Sequence, residues 1–169
     1  MRFHAKSALI LVLLCLVTPA ARAQTSQHKT TGPRPLTRDE GLAILGAALD
    51  FRRNVGSRSD CSHLVHSLYQ RAGFQYGYAS SSDLYAGINE FHRVANPQPG
   101  DLVVWPGHAG IVVNPAQHSF FSLLRSGAGV DFYDSPYWEQ RGHPRFFRYI
   151  KRPRGGVLSS SLRTAPLKP

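Results

Sequence analysis

Two side chains of this 169-residue chain have the chemistry and the surroundings that covalent catalysis needs. Cys61 stands between Asp60 and Ser62, where an apolar pattern of helical spacing begins. A thiol attacks as its thiolate, and the amides and dipole of a helix N-terminus favour that form. Such a nucleophile also needs a base. His108 is placed to be one, because Trp105-Pro106-Gly107 turns the chain and projects the histidine at the head of an apolar strand. Taken singly, a cysteine in a helix is more often structural and a strand histidine is often only half-buried. The pair together, 47 positions apart, points to a thiol nucleophile on a helix and its base on a strand.

The elements that must hold these two residues can be read from spacing and punctuation. Thr37 and Glu40 form a capping box ahead of Leu42, Leu45 and Leu49, with Ala43, Ala47 and Ala48 beside them, so a helix runs to about Phe51. Residues 52–57 break the pattern as a loop. Asp60 caps a second helix with Leu64, Val65, Leu68 and Tyr69 as its buried stripe and Gly73 as its stop. Residues 80–83, Ser-Ser-Ser-Asp, cap a third that extends to about Phe91, and Pro97-Gln98-Pro99-Gly100 closes the helical half. Residues 101–105, 108–113, 118–124 and 144–150 are short β-branched or aromatic runs between Pro and Gly turns, which predicts an antiparallel meander. Helices first and strands second is an α+β pattern. Tyr133, Tyr137 and Trp138, with Asp131, Asp134 and Glu139, form an aromatic loop that either covers the sheet or borders a cleft. The cover is the simpler expectation.

Three blocks carry a resemblance: Asp60-Cys61-Ser62-His63-Leu64-Val65, then Pro97-Gln98-Pro99-Gly100-Asp101-Leu102-Val103-Val104-Trp105, then His108-Ala109-Gly110-Ile111-Val112-Val113. In content and order they resemble the NlpC/P60 family of cell-wall cysteine peptidases, over about residues 37–150. The resemblance implies a reduced papain-like fold, N-terminal helices packed on an antiparallel sheet. It implies Cys61 as nucleophile and His108 as general base, no cofactor, and a peptidoglycan stem-peptide amide as substrate, the bond after γ-D-glutamyl, commonly to diaminopimelate. The third, orienting residue falls on Ser122 by strand alignment, with His118 competing by residue type. The chain departs from the family at two places. His63 stands where the family usually has glycine, and residues 48–52 (Ala-Leu-Asp-Phe-Arg) hold no counterpart of the tyrosine that the family places about a dozen residues before the cysteine to bind the oxyanion. Oxyanion binding then rests more on backbone amides, that of Cys61 included. The other activities compatible with these features are an amidase or acyltransferase using the same dyad, and a non-catalytic wall-binding relative.

Length and charge set the remaining bounds. The chain suits one domain of about 115 residues, 36–150. Arg2 and Lys6, an apolar run to Val17 and Ala21-Arg22-Ala23 have the pattern of a secretory signal peptide, residues 1–23, too short in its apolar part for a retained span. A secreted protein, periplasmic or extracellular, is expected, and no transmembrane segment is expected after cleavage. Residues 24–35 read as a flexible leader and 151–169 as a disordered basic tail. The formal charge is +10, and removal of residues 1–23 leaves 17 basic against 10 acidic side chains, a net +7. An anionic cell-wall surface suits that charge; nucleic acid does not, since the basic residues gather in the flexible ends without an aromatic-rich face. His63 and His66 have no fourth ligand beside Cys61, so a metal site is not expected. Two cysteines, one of them in the signal, exclude a disulfide framework.

Overall fold

The computed structural model describes residues 32–51 and 60–153. The expected signal segment with Cys15, most of the expected leader, the expected loop at 52–57 and the expected basic tail beyond Pro153 lie outside the described residues. The fold is α+β, with four α-helices and one antiparallel sheet of seven strands among the described residues, β1 (Arg34–Pro35), β2 (Phe91–Val94), β3 (Leu102–Trp105), β4 (His108–Asn114), β5 (Ser119–Leu124), β6 (Gly127–Phe132) and β7 (Arg145–Lys151). Strands β3, β4 and β5 run as the expected meander, and β6, for which no strand was expected, extends it beyond β5. The last strand departs from it: β7 returns to the free edge of β3, giving the order β1-β7-β3-β4-β5-β6. Strand β2 pairs with β7 along residues 146–149 on the edge away from β3, and β1 pairs with it along residues 150–151. Arg34 and Pro35, expected at the end of the leader, are therefore part of the sheet, and Arg34 also pairs with Glu40 at 2.6 Å.

Helix α1 (Arg38–Phe51) opens on the capping box, with the Glu40 amide 3.3 Å from Thr37 Oγ1 and the Thr37 amide 3.0 Å from the Glu40 carboxylate. Its buried face is the expected one only in part, with Leu45, Ala47 and Ala48 against the core. Leu42 and Leu49 are exposed, while Ile44 and Ala48, with Leu36 just ahead of the helix, enter the core. Gly41 sets this rotation, because a Cβ there would stand 2.0 Å from the Pro99 carbonyl oxygen. The helix docks on the 97–101 turn through the one position that has no side chain. Helix α2 (Cys61–Arg71) buries Leu64, Val65, Leu68 and Tyr69 as expected and ends ahead of Gly73, at φ 86°. Helix α3 (Ser81–Ala86) starts at a Ser80–Asp83 capping box but stops five residues short of Phe91. Gly87, at φ 102°, ends it, and Phe91 lies in β2, a strand too short for its alternation to stand out in the sequence. Helix α4 (Pro136–Glu139) is one turn in the aromatic loop.

The Pro97–Asp101 turn ties the two halves together. Asp101 is fully buried, accepts the Gln98 amide at 2.8 Å and forms a forked pair with Arg148 of β7, at 3.0 Å from Nε and 2.8 Å from Nη2. Burial pushes the Asp101 carboxyl above its ordinary pKa against the pull of Arg148. From α2, the Tyr69 hydroxyl donates to the Gly100 carbonyl at 2.7 Å. The sheet thus has two unlike faces. Leu102, Val104, Ala109, Ile111, Phe121, Phe147 and Tyr149 pack with α1, α2 and α3. Val103, Trp105, Val112 and Phe120 pack with Trp138 of α4 on the other side. Among the described residues no helix is long and apolar enough to cross a membrane.

Candidate active site

Cys61 is the first residue of α2 and partly exposed. The cap is built around it. Asp60 accepts the His63 amide at 2.9 Å and the Ser62 hydroxyl at 2.7 Å, and its other oxygen lies 2.9 Å from His63 Nδ1. Partial burial raises the Asp60 pKa, but these hydrogen bonds prevail and hold it at about 2. The amides of the first helical turn have no partners inside the helix, so the Cys61 amide is available as a donor beside its own sulfur.

His108 begins β4, after the Pro106-Gly107 turn, with Gly107 at φ 76°. Alternation from Val112 and Gly110 puts its ring on the sheet face opposite α2's stripe. There it sits 4.6 Å from the Trp138 ring and between Trp105 and Phe120. Its exposure is 8%, and burial, with the Arg141 charge nearby, pushes its pKa down to about 4. At neutral pH it is an uncharged imidazole able to take a proton. Its ring nitrogens are told apart by Ser122, which is fully buried on β5. Ser122 Oγ donates its one proton to the Ala109 carbonyl at 2.6 Å, so at its 2.9 Å contact with His108 Nε2 it accepts. The network therefore assigns the proton to Nε2 and leaves the lone pair on Nδ1. Gly110 lets the Phe120 ring pack close to β4, since a Cβ there would meet that ring at 2.6 Å.

The structure brings Ser122 and His108 together, and it places His118 elsewhere. His118 lies exposed in the turn after β4, at φ 53°, with Nδ1 2.6 Å from Asp134, at the far end of the strand that His108 begins. Among the described residues no hydrogen bond joins the Cys61 thiol to the His108 ring. Trp138 is 2% exposed and covers the sheet, while Tyr137 is half exposed; the aromatic loop both covers the sheet and borders a cavity beside His108.

A residue passed over in the sequence stands at the nucleophile's helix turn. Tyr78, from the segment after α2, places its hydroxyl 3.2 Å from Ser62 Oγ, and its ring stacks on His63 with centroids 4.2 Å apart. Ser62 spends its proton on Asp60, so the Tyr78 hydroxyl is the donor in a long hydrogen bond that is cheap to redirect. A tyrosine therefore stands near Cys61 after all, 17 positions after it instead of a dozen before. The signal was Tyr76-Gly77-Tyr78 following the Gly73 stop. His63, in the family's glycine position, is the platform for that ring. Behind it His66 Nδ1 and the Tyr76 hydroxyl are buried without hydrogen-bond partners among the described residues, and burial lowers the His66 pKa and raises that of Tyr76. Residues 50–144, more than half of the chain, match the model of the NlpC/P60 family, and the chain belongs to that family. Members of the family are generally cysteine peptidases that act on peptidoglycan. No curated protein matches the chain.

Proposed function

We propose that this member of the NlpC/P60 family is a secreted peptidoglycan endopeptidase that cuts a stem-peptide amide, the γ-D-glutamyl-diaminopimelate bond, through a Cys61 thioester. The observation that carries the reading is the Ser122-held His108, a buried neutral imidazole at the head of β4 in a fold whose α2 begins with a thiol. In the first half-reaction His108 Nδ1 takes the thiol proton as sulfur attacks the carbonyl carbon. The oxyanion is met by the Cys61 amide and by the Tyr78 hydroxyl, which turns from Ser62. The imidazolium then gives its proton to the departing amine as the C–N bond breaks, leaving a thioester. In the second, His108 takes a proton from water, which attacks the thioester, and returns it to the sulfur. Ser122 keeps one tautomer throughout. The N-terminal 23 residues act as the signal, and the basic leader and tail hold the enzyme on anionic wall.

Two observations favour a rival reading, a wall-binding relative without catalysis: the His108 ring lies on the sheet face opposite α2's stripe, and among the described residues no hydrogen bond joins it to the Cys61 thiol. Digestion of purified peptidoglycan by the chain from Gln24 onward, beside Cys61→Ala, separates the two. New peptide termini made by the native protein alone support the endopeptidase, and their masses name the bond. Binding by both proteins with cleavage by neither supports the binder.

A further inference from the structure

A cavity of about 770 Å³ opens against His108, lined among others by Arg125, Asp131, Tyr137, Trp138 and Arg141. The Arg141 guanidinium lies 5.4 Å from the Trp138 ring centroid and 5.9 Å from that of Tyr137, so a cation is held over an aromatic wall. The one hydrogen bond it makes among the described residues runs from Nη1 to the Tyr137 hydroxyl, at 3.4 Å. Asp131, in the same lining, accepts the Trp138 indole N–H at 2.8 Å and the Phe132 amide at 2.8 Å. Neither Arg125 nor Arg141 has an ion pair among the described residues. Two guanidiniums against one carboxylate leave the lining net positive beside a buried base, which suits an anion that arrives with the substrate. The planar fork of arginine fits a carboxylate best.

The side of the substrate follows from the proton's path. The imidazole that takes the thiol proton must hand it to the leaving amine, so the residue carrying that amine lies at His108. A cavity continuous with His108 receives that residue. We propose that this cavity is the leaving-side subsite and that Arg141, with Arg125, selects a leaving residue bearing a free carboxylate. Tyr137 and Trp138 cover the methylenes of that residue, and Asp131 at the rim tolerates an ammonium group on the same residue. The proposal rests on the reading of Cys61 and His108 as a hydrolytic pair, and binding tests it apart from cleavage.

The Cys61→Ala protein is titrated with γ-D-glutamyl-diaminopimelate and with the same dipeptide amidated at its leaving-side carboxyls. Tryptophan fluorescence reports binding, because both tryptophans lie here, Trp138 in the cavity wall and Trp105 behind it with ring centroids 4.6 Å apart. The free acid is expected to bind about tenfold tighter at low salt, and Arg141→Gln to cut that ratio to about twofold or less. Arg141 is exposed, so unchanged thermal melting of the variant serves as its folding control. Equal affinities for the two dipeptides, no binding of either, or the tenfold ratio persisting in the Arg125→Gln/Arg141→Gln double variant would each overturn the subsite. A native protein that keeps the preference but never cleaves removes the hydrolase and leaves the subsite standing.

Discussion

Replacing Ser122 by alanine removes one buried oxygen atom beside His108, and its two consequences can be measured separately. Ser122 and Ala109 are fully buried and His108 nearly so. Without Oγ, the Ala109 carbonyl loses a donor at 2.6 Å and His108 Nε2–H loses its one hydrogen-bond partner among the described residues, at 2.9 Å. Leaving such groups unpaired costs about 2 kcal/mol in total, which lowers the melting temperature of a domain this size by about 8 °C. The chemical consequence is distinct. With no acceptor at Nε2 the ring populates the Nδ1–H tautomer, which cannot take the thiol proton, and it is free to turn about its Cβ–Cγ bond. At 25 °C, well below the melting transition, kcat for peptidoglycan fragments is expected to fall about 10- to 100-fold with KM little changed. Ser122→Thr, which keeps the hydroxyl, is expected to recover most of that loss. The assay is steady-state release of new amino termini beside thermal melting of each variant. An alanine variant whose kcat stays within twofold of the native value while its melting temperature drops would refute the orienting role and leave Ser122 as packing alone.

Three further outcomes are expected. The His108 pKa of about 4 lies below the ordinary value of about 6.5 for a free histidine, so the unfolded chain binds its proton first. Stability is full above about pH 6.5 and falls by about 3 kcal/mol as pH drops to about 4, with His66 acting in the same direction; urea melts at pH 7 and 4.5 should show a shallower loss in His108→Gln. Arg148→Met strands the Asp101 carboxylate in the core and is expected to cost about 3 kcal/mol, read as a lower denaturant midpoint at unchanged slope. Tyr78→Phe keeps the stack on His63 and hence the stability, but should lower kcat about tenfold while leaving iodoacetamide alkylation of Cys61 unchanged, since alkylation forms no oxyanion.

The parts of the fold that chemistry punctuates were legible in the sequence. Asp60, Ser80 and the Thr37–Glu40 pair announce three helix starts because capping is a local hydrogen-bond requirement. Pro106-Gly107 and Gly100 announce the turns that bound β3 and place His108 at the head of β4. What could not be read depends on partners distant in the chain. The face that α1 buries is chosen by the contact of Gly41 with Pro99, not by the spacing of its leucines. The place of β7 beside β3 is fixed by Arg148 finding Asp101, 47 residues away. At the site, alignment of strand positions favoured Ser122, the residue that touches His108, over His118, whose residue type was the better match but whose left-handed backbone and Asp134 partner belong to a turn. Tyr78 escaped because a hydroxyl can reach the same helix turn from either side of it along the chain, and spacing along the chain records only one.

The central claim is that one sulfur atom does the work. Purified peptidoglycan is incubated with the chain from Gln24 onward and, separately, with its Cys61→Ala and His108→Ala variants, and soluble fragments are identified by mass. The account predicts new γ-D-glutamyl and diaminopimelyl termini from the native protein, none from Cys61→Ala, and at most traces from His108→Ala. Equal fragment release by the native protein and Cys61→Ala, or none by the native protein while all three still bind the wall, would contradict it.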